Sequence, residues 1–107
     1  MQGTTTSDLL TILTGFRALA EPIRLQILEC LRFQELCVCE LSSKLNIGQS
    51  KLSFHLKALR EAGLLHSRHE GRWIYYSLNL SQLVDLERYL AEYRRASPVL
   101  PTRNTSK

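Results

Sequence analysis

The apolar positions along this chain fall mainly at helical spacing, with one stretch that changes period. Leu9, Leu10, Leu13, Phe16 and Leu19 recur three and four residues apart, which predicts a first helix capped by Ser7 or Asp8. Glu21-Pro22 breaks that pattern, and a proline suits the first turn of a new helix running to about Arg32. Ile23, Ile27, Cys30 and Leu31 share one side of it. A third helix is expected from about Glu35 to Leu45, with Val38, Leu41 and Leu45 in register. Asn46-Ile47-Gly48 makes a short turn, since Asn and Gly tolerate the left-handed geometry that ends a helix. A fourth helix follows from Gln49 to Ala62, stopped by Gly63, and turns Leu52, Leu56 and Leu59 inward.

After Gly63 the segments Leu64–Arg68 and Trp73–Leu78 are rich in aromatic and β-branched residues, with a glycine-bearing tip, His69-Glu70-Gly71-Arg72, between them. Two short strands joined this way make a β-hairpin. Ser81 then caps a last helix to about Arg95, with Leu83, Leu86, Leu90 and Tyr93 at helical spacing. The expected fold is mainly α with a β-hairpin wing (α+β), in the order αααα-ββ-α. A helix-turn-helix followed directly by such a hairpin is a winged helix-turn-helix, a DNA-binding arrangement. One domain is expected over residues 8–96, with flexible ends at 1–7 and 97–107.

The side of the fourth helix opposite its leucines carries Ser50, Lys51, Ser53, Phe54, Lys57 and Arg60. Gln49, Ser50, Lys51 and Ser53 at its start are short or flexible donors suited to base edges in a major groove, and Lys57 and Arg60 lie where phosphates would run. Arg68 and Arg72 flank the hairpin tip and are candidates for the backbone or the minor groove beside it. Phe54 is out of place on an exposed face; it either meets a thymine methyl or turns inward against the wing. His55 borders the apolar stripe and is expected to be packed and hydrogen-bonded rather than a base reader. The net charge of +4 is compatible with a nucleic-acid partner without requiring one.

No apolar run approaches the roughly 20 residues of a membrane span, and Met1–Ser7 has no signal-like core, so a cytoplasmic protein with no membrane partner is expected. Neither paired carboxylates, a Gly-rich phosphate loop nor a Ser/His/Asp set is visible, so no enzymatic activity and no organic cofactor are expected. The three cysteines, Cys30, Cys37 and Cys39, are an odd count and argue against a disulfide framework.

At this point the residues resemble a family. The run Glu35-Leu36-Cys37-Val38-Cys39-Glu40-Leu41 is similar to the signature of arsenical-resistance repressors of the ArsR/SmtB family. Gln49 to Leu64 resembles that family's recognition helix, Leu19 to Leu25 the entry to its second helix, and Arg68 to Tyr76 its wing. The resemblance implies a homodimer built from the first and last helices, binding a palindromic double-stranded DNA operator as a repressor. Two departures stand out. Many arsenical sensors place a third cysteine where this chain has Ser42, and the family's metal site on the last helix has no match in Leu80, Gln82, Tyr93 and Ala96.

Thiolates at Cys37 and Cys39 select soft ions: As(III), Sb(III), Cd(II), Pb(II) or Cu(I). Residues two apart on a regular helix point about 200° apart, so gripping one ion would require the first turn of the third helix to unwind and tilt the reader. Val38 takes the clearest core position in that register, which leaves a neighbouring cysteine off the core. A third ligand for a trigonal metalloid is either Cys30 or an outside thiol or hydroxide, and packing is the simpler account of Cys30. The alternative is a repressor whose cysteines form a redox or sulfur-species switch. His66 and His69, three apart on a strand, face opposite ways and do not share a metal.

Overall fold

Proline and a carboxylate set the first boundary inside the chain. Pro22 occupies the first turn of a helix, and Glu21, at its N-cap, accepts the Ile23 backbone N–H through Oε1 at 2.9 Å. The structure, a computed structural model, describes residues 6–96, and it is built from α1 (Thr6–Leu19), α2 (Pro22–Cys30), β1 (Leu36–Cys37), α3 (Val38–Leu45), α4 (Gln49–Glu61), β2 (Leu65–Glu70), β3 (Trp73–Leu78) and α5 (Leu80–Ala96). The expected winged helix-turn-helix is present, with one strand more than expected.

The ends of α3 and α4 follow from single residues. Asn46 takes the left-handed conformation (φ 55°), and Ile47 N–H bonds back to the Ser42 carbonyl at 3.2 Å. Gly63 (φ +81°) closes α4: its N–H reaches the Arg60 carbonyl at 2.9 Å, and Leu64 N–H reaches that of Leu59 at 3.0 Å. That pair of bonds is the Schellman arrangement, and it buries Leu59 and Leu64 together. In the hairpin, Gly71 (φ +63°) is the first of two turn residues, since Glu70 pairs with Trp73. A left-handed glycine at that position is what a type II′ turn needs.

Four boundaries differ from expectation. Ser7 and Asp8 lie inside α1, which spans Thr6–Leu19, rather than capping it. Asn79, not Ser81, precedes α5; its side-chain amide donates to the Gly63 carbonyl at 2.7 Å, and its own carbonyl accepts from Leu83 N–H. The hairpin strands extend to Glu70, leaving Gly71-Arg72 as the whole turn. Most important, α3 begins at Val38, because Leu36 and Cys37 are drawn into the sheet.

That sheet is antiparallel in the order β1-β3-β2. Leu36 pairs with Tyr76 and Cys37 with Tyr75, while Arg68 of β2 pairs with Tyr75 from the other side. The core lies beneath: Ile27, Leu41, Leu52, Leu56, Leu59 and Leu64 are fully buried, with Leu36, Leu65 and Leu86 nearly so. Each helix of the reading motif is therefore seated through the same apolar cluster as the base of the wing.

α1 and α5 pack on each other where Gly15 permits close approach; a Cβ there would sit 3.0 Å from Leu86 Cδ2. Phe16 and Tyr89 meet with ring centres 6.2 Å apart. Part of the apolar stripe of each helix stands exposed: Leu9, Leu10 and Leu13 on α1, Leu90 and Tyr93 on α5. Among the described residues no helix is long and apolar enough to cross a membrane.

Candidate nucleic-acid interface and thiol site

Leucines turned into the core leave α4 with one polar outer side. Gln49, Ser50, Lys51, Ser53, Phe54, Lys57 and Arg60 are all exposed, as expected. Among the described residues Lys51, Lys57 and Arg60 have no ion-pair partner. Gly48 at the N-cap offers no side chain to the first backbone N–H groups of the helix. Free amides and a positive helix end together favour an anion at that point.

His55 is buried, and its Nδ1 accepts a hydrogen bond from Arg24 Nε at 3.1 Å, with Glu21 Oε1 3.9 Å away. It pins α4 to the start of α2, as a packed histidine should. Phe54 is 64% exposed and does not turn inward against the wing; its ring sits edge-on to His55, 5.2 Å between centres, with the Arg24 guanidinium 5.9 Å over it.

On the wing the two arginines differ. Arg72, at the turn, has no carboxylate partner among the described residues and lies 6.0 Å over the exposed Trp73 ring. Arg68, expected among the cations offered to DNA, is instead taken up within the protein. Its Nη2 and Nε reach Glu35 at 2.5 and 3.3 Å, its Nη1 reaches Glu70 at 2.8 Å, and its guanidinium stacks 4.8 Å over Tyr75. Two carboxylates on one guanidinium leave a net negative cluster. Glu35 is held below the usual carboxylate range, first by its hydrogen bond from Arg68.

The thiol pair also differs from expectation. Cys37 is not on a helix: it is the extended N-cap residue of α3 (φ −87°, ψ 169°) and the second residue of β1. The two side chains therefore do not diverge as they would on a regular helix. Cys37 Sγ and Cys39 Sγ lie 2.8 Å apart, so no turn of α3 has to unwind for both to face one ion. Cys37, at 5% exposure, is more buried than Val38, which reverses the expected assignment of the core position. Glu40 secures the backbone by accepting the Cys37 N–H at 2.9 Å, and the Cys37 sulfur in turn faces the Glu40 N–H. Burial, then the contact with Cys39, push the Cys37 thiol upward from its ordinary pKa.

Cys30 is half-buried against the core at the end of α2. Among the described residues no three His, Cys, Asp or Glu side chains are gathered to hold a metal, so Cys30 is not assembled with the pair. Ser42 Oγ donates to the Ile47 carbonyl at 2.6 Å and serves the end of α3.

A sequence profile described as "Bacterial regulatory protein, arsR family" matches residues 21–67, from the cap of α2 into β2. The chain is similar to HlyU from Vibrio cholerae, a solved structure with TM-score 0.68 and 36% identity, over 83% of this chain and 98% of that one. This chain belongs to the ArsR family. Among curated ArsR-family relatives it is 45% identical over 65 residues to the arsenical resistance operon repressor of Bacillus subtilis, covering 60% of this chain and 62% of that protein. It is also 45% identical over 73 residues to the arsenic resistance transcriptional regulator ArsR1 of Pseudomonas putida, covering 67% and 57%. The chain thus spans somewhat under two thirds of each of these two relatives. The ArsR-family relatives named here are regulators rather than enzymes.

What sequence reasoning missed is β1. Its signal was Cys37-x-x-Glu40, a capping-box spacing with cysteine in the serine position, which places the helix start after Cys37.

Proposed function

We propose that this protein is a transcriptional repressor that binds an inverted-repeat operator as a homodimer and releases it when As(III), or a similar thiophilic ion such as Sb(III), Cd(II) or Pb(II), is captured by Cys37 and Cys39. The observation that carries the reading is the convergence of the two sulfurs, 2.8 Å apart, where β1 runs into α3. The donor set fits a soft ion: two thiols, one buried and one half-buried, with bond lengths of about 2.3 Å asking the sulfurs to part to roughly 3.5–4 Å. The third ligand is an outside thiol or hydroxide, since Cys30 is not gathered with the pair.

DNA is engaged by Gln49, Ser50, Lys51 and Ser53 at base edges and by Lys57, Arg60 and Arg72 along phosphates. The exposed leucines of α1 and the exposed Leu90 and Tyr93 of α5 support pairing of two copies through these helices. A cytoplasmic location suits an operator-binding protein.

The test is a gel shift on the DNA upstream of the protein's own gene, with and without arsenite. Wild type is expected to bind and to release. Cys37→Ser and Cys39→Ser are expected to bind and stay; serine is itself a good N-cap, so α3 keeps its start. Release that persists in both variants would remove the cysteines from the site.

A thiol redox switch is the second reading. It is favoured by the close approach of the sulfurs and by the likeness of this chain to the solved structure of reduced HlyU from Vibrio cholerae. Peroxide would take two electrons from the pair, forming one S–S bond and water. Release by peroxide with no response to arsenite selects this reading.

A further inference from the structure

A row of side chains crosses the wing sheet from the thiol pair to the outer strand. Cys37 of β1 is opposite Tyr75 of β3, and Tyr75 is opposite Arg68 of β2. Directly opposed residues in an antiparallel sheet share a face. Glu35, two residues before Cys37, spans the same row: its carboxylate grips Arg68 with two hydrogen bonds, while that guanidinium lies 4.8 Å over Tyr75. β1 is two residues long; it is held to the wing by its pairing with β3, by the burial of Leu36 in the shared apolar cluster and by this charged clamp.

We infer that the wing, through this clamp, is how occupation of the thiol pair reaches DNA: Glu35 and Arg68 are positioning residues that make the outer strand follow β1. The inference rests on the sensor reading proposed above and adds its route. Cys37 is the buried member of the pair and belongs to β1, so parting the sulfurs to take an ion loads that strand. Glu35 then pulls Arg68 and β2, and the turn bearing Arg72 and Trp73 is re-aimed. α4 is not on this route; it is seated by three fully buried leucines and by His55. Glu70 is the built-in control. It also binds Arg68, but it lies on the same strand and links nothing across the sheet.

A physical path of this kind is established by coupling energies, not by adjacency. The experiment measures three quantities on wild type, Glu35→Gln, Glu35→Asp and Glu70→Gln: operator affinity without arsenite, arsenite affinity without DNA, and operator affinity with arsenite saturating. The ratio of the two operator affinities is the coupling, expected to be about tenfold or more in wild type. Glu35→Gln is expected to keep both separate affinities within about threefold and to cut the ratio to threefold or less. Glu35→Asp restores part of the ratio, and Glu70→Gln leaves it as in wild type.

Trp73 is the single tryptophan of the chain and stands exposed where β3 leaves the turn, so it reports the wing directly. Arsenite added to the DNA-free protein is expected to change its emission in wild type and Glu70→Gln but not in Glu35→Gln. A wild-type-sized ratio in Glu35→Gln, or wild-type Trp73 emission indifferent to arsenite, overturns the route while leaving the sensor reading intact. A wild type whose operator affinity ignores arsenite overturns both.

Discussion

Among the described residues, Lys51, Lys57 and Arg60 of α4 stand in solvent with no carboxylate partner, whereas on the wing Arg68 is shared between Glu35 and Glu70 and Arg72, at the turn, has no carboxylate. The two regions would face one duplex, yet they hold their charge differently. The helix presents its cations permanently, because its opposite side is locked into the core. The wing's inner cation answers to Glu35, the residue before the strand that carries Cys37. On the proposed function this division has a use: affinity would reside in the fixed element and its adjustment in the one tied to the thiol pair.

The largest effect that sharpens the contrast is on stability. Leu56→Ala, at a fully buried position, is expected to cost about 2–5 kcal/mol in a urea titration, whereas Trp73→Ala, half exposed at the turn, costs less than about 1 kcal/mol. Equal losses would mean that the wing is no more adjustable than the helix.

Salt dependence of DNA binding comes next. Lys57→Ala and Arg72→Ala are each expected to lower the slope of log affinity against log salt by about one unit, since each would remove one of the proposed phosphate contacts. Arg68→Met is expected to change it by less than about half a unit, because that cation already has two carboxylates. A full unit lost in Arg68→Met would place Arg68 on the phosphates and dissolve the comparison.

Smaller, and confined to the thiol end, is a difference between two inducers. Burial keeps the Cys37 thiol protonated through neutral pH, so a divalent cation such as Cd(II) must displace its proton. Cadmium affinity is therefore expected to rise with pH between about 6 and 8, by about tenfold per unit for each proton released. Arsenous acid gives up hydroxide as the thiols give up protons, forming water, so its affinity is expected to stay nearly flat over the same range. A flat cadmium profile would show that Cys37 is either already a thiolate or not a ligand.

Much of the fold was legible from the chain. The leucine spacing of α4, the Pro22 start of α2, the Gly63 stop and the Gly71 turn are all local signals, and each stands close to where it was expected. β1 was not, because a two-residue strand has no period of its own. It exists through pairing with Tyr75 and Tyr76, some forty residues away, while Leu36 and Val38 continue a helical pattern equally well. The same non-locality hid the fate of Arg68. Its bond to Glu70 follows from strand alternation, but Glu35 comes from across the sheet. The convergence of the two sulfurs was hidden for the same reason, since it depends on Cys37 lying outside the helix. The exposed leucines of α1 show the opposite limit: their spacing correctly predicts a helix, but a period does not say whether a stripe packs inward or stays open.

The most direct measurement is the number of sulfur atoms bonded to arsenic, read by X-ray absorption on the arsenite-loaded protein. At least two are expected in wild type and in Cys30→Ser, and none in the Cys37→Ser, Cys39→Ser double variant. Arsenic bound only to oxygen in wild type, or sulfur bonds that survive in the double variant, would contradict the account.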